Sequence, residues 1–593
     1  MASPITSNMG IPSCSVIVGG KDVGAKYGLK SVVVTKEINK VSKARIIIMD
    51  GDPSDETFEA SASKDFDPDK TISIKMGYDQ KEKEVFSGVI TGQSLKVRFK
   101  SSELVLTCMD KAFQLSTTRK TSNFVKKKDS DVISEIIGGY GLSKTVSTTT
   151  FKHPNIVQYN CSDWDFILAR ADANAMVVIN EGAKLSVAAP VVSGSAILDI
   201  NFGLEIIDFS AEMDAINQLS SVEFQSWDSQ KLSLVKSVGT EPSVNAHGDL
   251  TGKKLSAVGK SPKLALNTSV PEDSGLLKSW AKSHLQHSRL SKIRGFASFV
   301  GNSAPLVGKL IKLAGFSPHF NGLAYLTKVV HAFEDGFWKT ETGFGLQPKT
   351  FTDSDNNIEG PSGLGLLPAI SGIHIGKVKK IDKDPAGEYR VQVDVPFIET
   401  SGEGLWARLS HLHASSNYGY YFYPDVGDEV ILSFVNSDPR FAVIIGSLYG
   451  KKNKPPFTPE TKNKDKGIIT KNKLKLTFED DKKIITIETP GGQKVTLDDK
   501  GKSLKLEDQN KNSVLLDKKG ITLDSGKDLI LKSKGKITMK SGAATEIKSG
   551  ADLKAQGVNL ALKASAKAGL EGATTEIKGS GKVVVKGGMI NLN

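Results

Sequence analysis

The stretch SGKDLILKSKGKITMKSG, Ser525 to Gly542, states one short phrase twice, eight residues apart. Leu529, Leu531 and Lys532 in the first half answer to Ile537, Met539 and Lys540 in the second. The second apolar residue of each alternating pair falls at Leu531, Met539 and Ile547, then with slips at Leu562, Leu570, Ile577, Val585 and Leu592. Upstream the same device runs through Leu476, Ile487, Leu497, Leu506, Leu516 and Leu523, at intervals of nine to eleven that shorten to seven. Alternation of apolar and polar residues between Gly, Asp, Asn and Ser turns is the signature of half-buried strands, and predicts a ladder of about fifteen short ones.

A single chain that coils around its own core needs roughly 20 or more residues per coil, because each coil supplies several faces. Eight residues supply one face. The economical arrangement is three chains, each giving one strand per level of a three-sided prism, so the period itself predicts a homotrimer. The expected core and trimerisation residues are Leu529, Leu531, Ile537, Met539, Ile547, Val583 and Val585.

Composition supports a thin, specialised segment. After Phe478 there is no aromatic residue and one proline, Pro490; Arg, His, Cys and Trp are absent from Lys451 onward. Residues 451–593 hold 30 lysines against 17 acidic residues; the whole chain holds 78 basic and 66 acidic residues, leaving 48 against 49 for residues 1–450. The net charge of +12 therefore resides in the C-terminal segment. Basic stripes suggest nucleic acid, but the arginine forks and stacking aromatics that read it are missing here. A solvated face that keeps stacked strands from pairing edge to edge is the favoured reading, and attraction to anionic envelopes is compatible with it. No specific nucleic acid is expected.

At 593 residues the chain has room for three or more domains. Its cysteines, Cys14, Cys108 and Cys161, are odd in number and form no CxxC pair, which predicts reduced thiols and folding in the cytoplasm. The N-terminus MASPITSNMGIPSCSV shows no basic region followed by an apolar run, so no signal peptide is expected.

Residues 11–110 alternate strand patterns with turns such as DGDP and GYDQ, predicting an antiparallel β-barrel. A helix over Ser130–Ile137 closes at Gly138-Gly139, and one over Ser162–Asn174 opens with a capping box, Ser162 and Asp165. Its apolar face of Trp164, Ile167, Leu168 and Ala171 is expected to pack on the barrel. A further helix spans Ser274–Leu290, and more strands run from Ile293 to Phe344. Residues 369–450 carry five or six short strands with the spacing of an OB-like barrel. Its aromatic run, Tyr418, Tyr420, Tyr421, Phe422 and Tyr423, could stack a ligand or be buried in packing; packing is the favoured expectation.

Chemical motifs return little. GNSAPLVGKL, Gly301 to Leu310, has six residues between its glycines and Leu after its lysine, so it reads as a turn between strands rather than a phosphate loop. His411 with His413 shares a strand face and His284 with His287 a helix face, each without a third metal ligand. No nucleophile or zinc-protease motif occurs. No catalytic residue, metal or cofactor is expected, and the chain does not read as an enzyme.

The block from GKVKKIDKDPAGEYRVQVDVPF through GLWARLSHLHASSNYGYYFYPDVGDEVILSFVNSDPRFAVIIGSLYGKKNKPP strongly resembles the valine-glycine repeat protein G (VgrG) family, the spike of contractile injection systems. The carried pattern is Trp406 and Arg408, Phe422 and Pro424, Gly427-Asp428-Glu429-Val430, Asp438-Pro439-Arg440 and Gly446-Ser447-Leu448-Tyr449. Upstream, YNCSDWDFILARADANAM (Tyr159–Met176) and FNGLAYLTKVVHAFEDGFWKTETGFG (Phe320–Gly345) are similar to the family's hub segments, so the resemblance covers essentially the whole chain.

The resemblance implies a mainly β protein: two hub β-barrels with a few helices, an OB-fold neck and a C-terminal intertwined triple-stranded β-helix. The expected domains are 1–115, first hub barrel; 116–200, helix-containing hub region; 201–346, second hub barrel; 347–368, linker; 369–450, OB-fold; 451–467, neck; and 468–593, trimeric prism. It implies a homotrimer that caps a hexameric inner tube, contacts baseplate proteins through its hub, carries effector cargo and punctures a target membrane transiently. The particle would be a type VI secretion system, an extracellular contractile injection system or a phage tail, delivered outside the cell or into a target cell. A tip protein of the proline-alanine-alanine-arginine repeat (PAAR) type would dock at Ile590, Leu592 and Asn593. About twenty residues separate the OB block from the first prism strand, leaving no expected room for the lysozyme domain of T4-like phages, and the last strand ends at the C-terminus, so no effector extension is expected. The competing reading is a trimeric OB-fold binder of nucleic acid or glycan on a β-stalk.

Overall fold

The computed structural model describes residues 3–4, 10–99, 101–228, 232–268, 272–355, 358, 369–398 and 403–592. The chain is mostly β, 41% strand and 11% helix. It divides into two compact units, Met1–Leu448 and Tyr449–Asn593.

In the first unit, strands of two modules, one on each side of the strand Gly322–Glu334, belong to one thirteen-stranded sheet. The junction is the long strand Gly322–Glu334. It pairs along one edge with Phe337–Phe344 and along the other with Gly28–Glu37, in a register that sets His331 opposite Val34 and Phe333 opposite Val32. Each module keeps its own apolar cluster, Val32, Val34, Ile46, Ile74 and Leu106 in the first, Phe299, Ile311, Leu326, Val329 and Phe344 in the second. Strand alternation produces this: on Gly28–Glu37 the residues Val32 and Val34 point into the core while neighbours alternate outward.

Helix α1, Asp129–Gly138, and helix α2, Asp163–Ala173, lie close to where the sequence places them. The Ser162 side chain accepts the Asp165 N–H at 3.0 Å and donates to the Asp165 carboxylate at 2.6 Å, so the cap is formed. The expected packing of α2 on the barrel is corrected: Trp164, Ile167, Leu168 and Ala171 join a separate core with α1 and the strands Val177–Glu181 and Lys184–Ala188. Asp129, at the first position of α1, lies in that region fully buried. Arg170 donates to both its oxygens, at 2.6 and 3.1 Å, with Asn174 and His153 completing the shell. Burial opposes ionisation of Asp129, but the Arg170 hydrogen bonds and charge, with Asn174 and His153, hold its carboxyl below the ordinary range.

Helix α3, Ser274–Leu290, has the bounds read from its periodicity and is capped by Asp273, which accepts the Gly275 N–H at 2.8 Å. It covers a three-stranded sheet, Ser221–Asp228, Ser233–Val238 and Lys263–Thr268, through Val222, Ala281 and Leu285.

Residues 301–309 form the turn expected of GNSAPLVGKL, joining strands Ile293–Val300 and Leu310–Ala314. Its glycines serve the backbone. A side chain on Gly301 would begin 2.0 Å from the buried Trp338 ring, and Gly308 sits at φ +82°.

Five strands close the OB barrel: His374–Lys380, Val391–Asp394, Leu405–Leu409, Glu429–Phe434 and Ala442–Ser447. Val378, Val391, Val393, Val430 and Ile444 fill it. Two turns are tied by their own ion pairs, Arg390 with Asp384 at 2.7 Å and Arg440 with Asp438 at 2.6 Å. The hydrogen bonds from Arg390 hold the Asp384 carboxyl well below the usual range.

The second unit has two parts. Seven five-residue strands, Asp465–Ile469, Lys475–Glu479, Ile484–Glu488, Lys494–Asp498, Ser503–Glu507, Ser513–Asp517 and Gly520–Asp524, form one antiparallel sheet, each paired with the next in the same chain. The sequence expectation of one strand per chain at every level is thus replaced here by hairpins within a chain. From Ser525 onward the described residues include no strand, and from Gly526 onward all are exposed. The octads instead keep a repeated corner: Ser525, Ser533, Ser541 and Ser549 each accept the N–H two residues on, from Lys527, Gly535, Ala543 and Ala551. This is the local turn that serine side chains favour.

Candidate functional site

The second and fourth residues of the seven strands point to one face, and all but Lys466 are apolar. Antiparallel pairing lines them up in two columns. Leu476 faces Ile487, which faces Val495, then Leu506, Val514 and Leu523. Phe478 faces Ile485, then Leu497, Leu504, Leu516 and Ile521. The opposite face carries mainly Lys, Thr, Ser, Glu and Asp, with Ile484 and Leu515 among them. No residue of this unit belongs to a buried apolar cluster of the described chain. Ile487 is 50% exposed, Leu497 42% and Leu523 50%, in a single-layer sheet with a continuous uncovered apolar face.

Residues 8–335, more than half of the chain, match the family described as the Alg8 N-terminal domain, and residues 374–449 match the type VI secretion system/phage-baseplate injector OB domain. Among curated proteins, the type VI secretion system spike protein VgrG1a of Pseudomonas aeruginosa is 26% identical over 189 residues, 29% of this chain and 28% of that protein. The chain belongs to the VgrG family and carries an Alg8 N-terminal domain. A second relative, the actin cross-linking toxin VgrG1 of Vibrio cholerae, is 39% identical over 80 residues, 13% of this chain and 7% of that protein. The matches thus span well under two thirds of these curated relatives. A solved tail protein of prophage MuSo2 from Shewanella oneidensis superposes with a TM-score of 0.45 at 11% identity, covering 57% of this chain and 98% of that one.

In this VgrG-family chain the predicted core residues Leu529, Leu531, Ile537, Met539, Ile547, Val583 and Val585 are all exposed, and the chain brings none of them into a core. Ile590 and Leu592, predicted to hold a tip protein, are 51% and 91% exposed; Asn593 lies outside the described residues.

The aromatic run of the OB domain departs from the expectation of packing. Tyr418, Tyr420, Tyr421 and Phe422 are exposed, and only Tyr423 packs on the barrel core. The reason is local: residues 411–424 leave the barrel wall, forming only the two-residue bridges Ala414–Ser415 and Tyr418–Gly419. His411 and His413 lie against the rings of Tyr423 and Tyr418.

The other histidine pair is also accounted for by packing. On α3, His287 presents Nε2 to the Asp172 carboxylate at 2.8 Å and Nδ1 to the Gln347 carbonyl at 2.9 Å. Both nitrogens face acceptors, so the imidazolium satisfies both. Burial opposes the charge, and Asp172 outweighs it, raising the pKa above the ordinary value. Asp172 also accepts the Phe351 N–H at 2.7 Å, and the pair thereby clasps the segment that follows the strand Phe337–Phe344. His284 beside it is held below its ordinary pKa by burial. Among the described residues no group of three or more His, Cys, Asp or Glu is arranged for a metal ion. Sequence reasoning missed this clasp because Asp172, His287 and Gln347 are far apart in the chain.

Proposed function

We propose that this chain is the hub and needle of a contractile injection system, a homotrimer that caps the inner tube, punctures the target envelope and carries a tip protein and effectors. The observation that carries the reading is the two-column apolar face of the second unit, with no core of its own. Two further copies supply the cover. Each side chain taken out of water contributes on the order of 1–2 kcal/mol, so the sheet's stability is tied to assembly. In this reading the octads pair between chains, and Leu529, Leu531, Ile537, Met539, Ile547, Val583 and Val585 turn to the common axis. The hub faces a hexameric tube and the baseplate, and Ile590, Leu592 and Asn593 receive a PAAR-type tip. The protein folds in the cytoplasm and leaves it as part of the particle. Sedimentation equilibrium of the purified chain tests the proposal: a trimer is expected, and a folded monomer at micromolar concentration overturns it.

A second reading rests on the exposed Tyr418–Phe422 run, which suits stacking against a sugar or base. It predicts that Tyr421→Ala and Phe422→Ala weaken binding to an oligosaccharide or single-stranded oligonucleotide while leaving the oligomeric state intact. If the run is instead an interface between copies, the same substitutions loosen the trimer.

A further inference from the structure

The charge that follows the inward apolar pair changes sign where the chain stops pairing with itself, although both parts of the second unit are net basic. In the sheet, the residue after the last inward apolar side chain of a strand is acidic six times: Glu479, Glu488, Asp498, Glu507, Asp517 and Asp524. These carboxylates hold neighbouring lysines, Glu479 with Lys482 at 2.8 Å and Glu488 with Lys475 at 3.3 Å. In the octads, the residue after the second apolar side chain becomes lysine at 532, 540, 548, 563, 578 and 586, with Glu571 and Asn593 the exceptions. Residues 525–593 contain twelve lysines and five acidic residues. Lys548 and Lys578 pair with Glu546 and Glu576, two residues before them. Lys532, Lys540, Lys563 and Lys586 are exposed with no carboxylate in ion-pair range among the described residues.

Solubility does not require this reversal, since acid-ended strands solvate a surface as well as lysine-ended ones. If the octads pair as strands, as the proposed needle requires, alternation puts these lysines on the side opposite the apolar pairs, in a row repeated with the octads. We infer that the octad lysines form a basic ridge that binds the phosphate-bearing surface of a lipid membrane. Lysine is suited to that role as a mobile point charge on a flexible stem, needing no fixed phosphate geometry. The absence of arginine and aromatic residues from the segment removes the forks and platforms that select nucleic acid. The inference rests on the proposed reading of these octads as the distal needle.

The test uses the full chain in co-sedimentation with vesicles of phosphatidylcholine alone and of phosphatidylcholine mixed with phosphatidylglycerol. Capture by the anionic vesicles is expected to exceed capture by the neutral ones by about tenfold at low salt and to fall as salt rises. Lys532→Gln, Lys540→Gln, Lys563→Gln and Lys586→Gln combined should abolish the excess, and Arg at the same four positions should retain it. A control with Lys473→Gln, Lys482→Gln, Lys500→Gln and Lys518→Gln, in the acid-ended part, should keep most of it. Equal loss in the two Gln variants, release by inorganic phosphate beyond that by chloride at matched ionic strength, or preferential capture of a random oligonucleotide would each overturn the inference. Sedimentation of the same samples separates the two proposals: a monomer sinks the needle reading, whereas a trimer that ignores anionic vesicles sinks only this one.

Discussion

Asn512 holds Ser525: its side-chain oxygen accepts the Ser525 hydroxyl at 3.1 Å and the Gly526 N–H at 3.0 Å. Asn512 is itself fixed by Asp508, which accepts its backbone N–H at 2.8 Å and its side-chain N–H at 2.9 Å. The chain leaving the last hairpin strand is thus turned at a defined point into the first octad. Asn512→Ala removes both corner bonds, each worth about 1 kcal/mol, and is expected to lower the melting temperature and speed amide exchange at Gly526. Ser525→Ala removes the hydroxyl bond and the Lys527 N–H bond it accepts but leaves the Gly526 bond to Asn512, and so should have the smaller effect on amide exchange at Gly526.

Acid should weaken the first unit. Burial pushes the pKa of His247 down to about 4 and that of His331 down to about 3. Both rings are neutral in the fold and protonated in an unfolded chain below pH ~6.5. Their contribution is fully present above that value and is lost as pH falls from ~6.5 toward the folded values. Urea midpoints of this unit should therefore decline between about pH 6.5 and 4, and His331→Gln should flatten the slope.

His287 acts in the opposite direction. Its folded pKa is raised, so its contribution is complete below the unfolded value and is lost as pH rises through the folded one. The groups facing it are Asp172 on α2, His284 on α3 and Asp353 in the departing segment. Proteolysis near residues 347–355 should become faster at alkaline pH in the native chain, and His287→Asn should make it fast throughout.

Gly301→Ala places a methyl group 2.0 Å from the Trp338 ring, which is 2% exposed and has no room to retreat. Overpacking of this kind costs about 1–3 kcal/mol or more. The expected outcome is a lower midpoint with a changed Trp fluorescence, and Ala304→Gly in the same loop should leave the spectrum as it is.

What the sequence made legible depended on how far apart the partners were. The period of Leu531, Met539 and Ile547 announces short strands, and the periodicity of Ser274–Leu290 announces its helix, because both signals are local. Interval alone does not reveal which chain a strand pairs with. Leu516 and Leu523 are seven apart and belong to a hairpin within the chain, whereas Leu523 and Leu531, eight apart, do not. The corner at Asn512 and Ser525 marks where pairing within the chain ends, and two side chains thirteen positions apart leave no periodic trace. The same limit hid the pairing of Gly28–Glu37 with Gly322–Glu334 and the clasp of His287 by Asp172. In the OB domain the aromatic run alternates as a buried strand would, yet a single chain leaves it on a loop.

The strand Gly322–Glu334 has a mechanical consequence. Because it is bonded along both edges, a force that slides one module past the other along this strand loads its backbone hydrogen bonds side by side. They must yield together in shear and cannot be opened one at a time like a zipper. The joint between the modules is therefore stiff to a blow along the strand, and no hinge interrupts the sheet at that point.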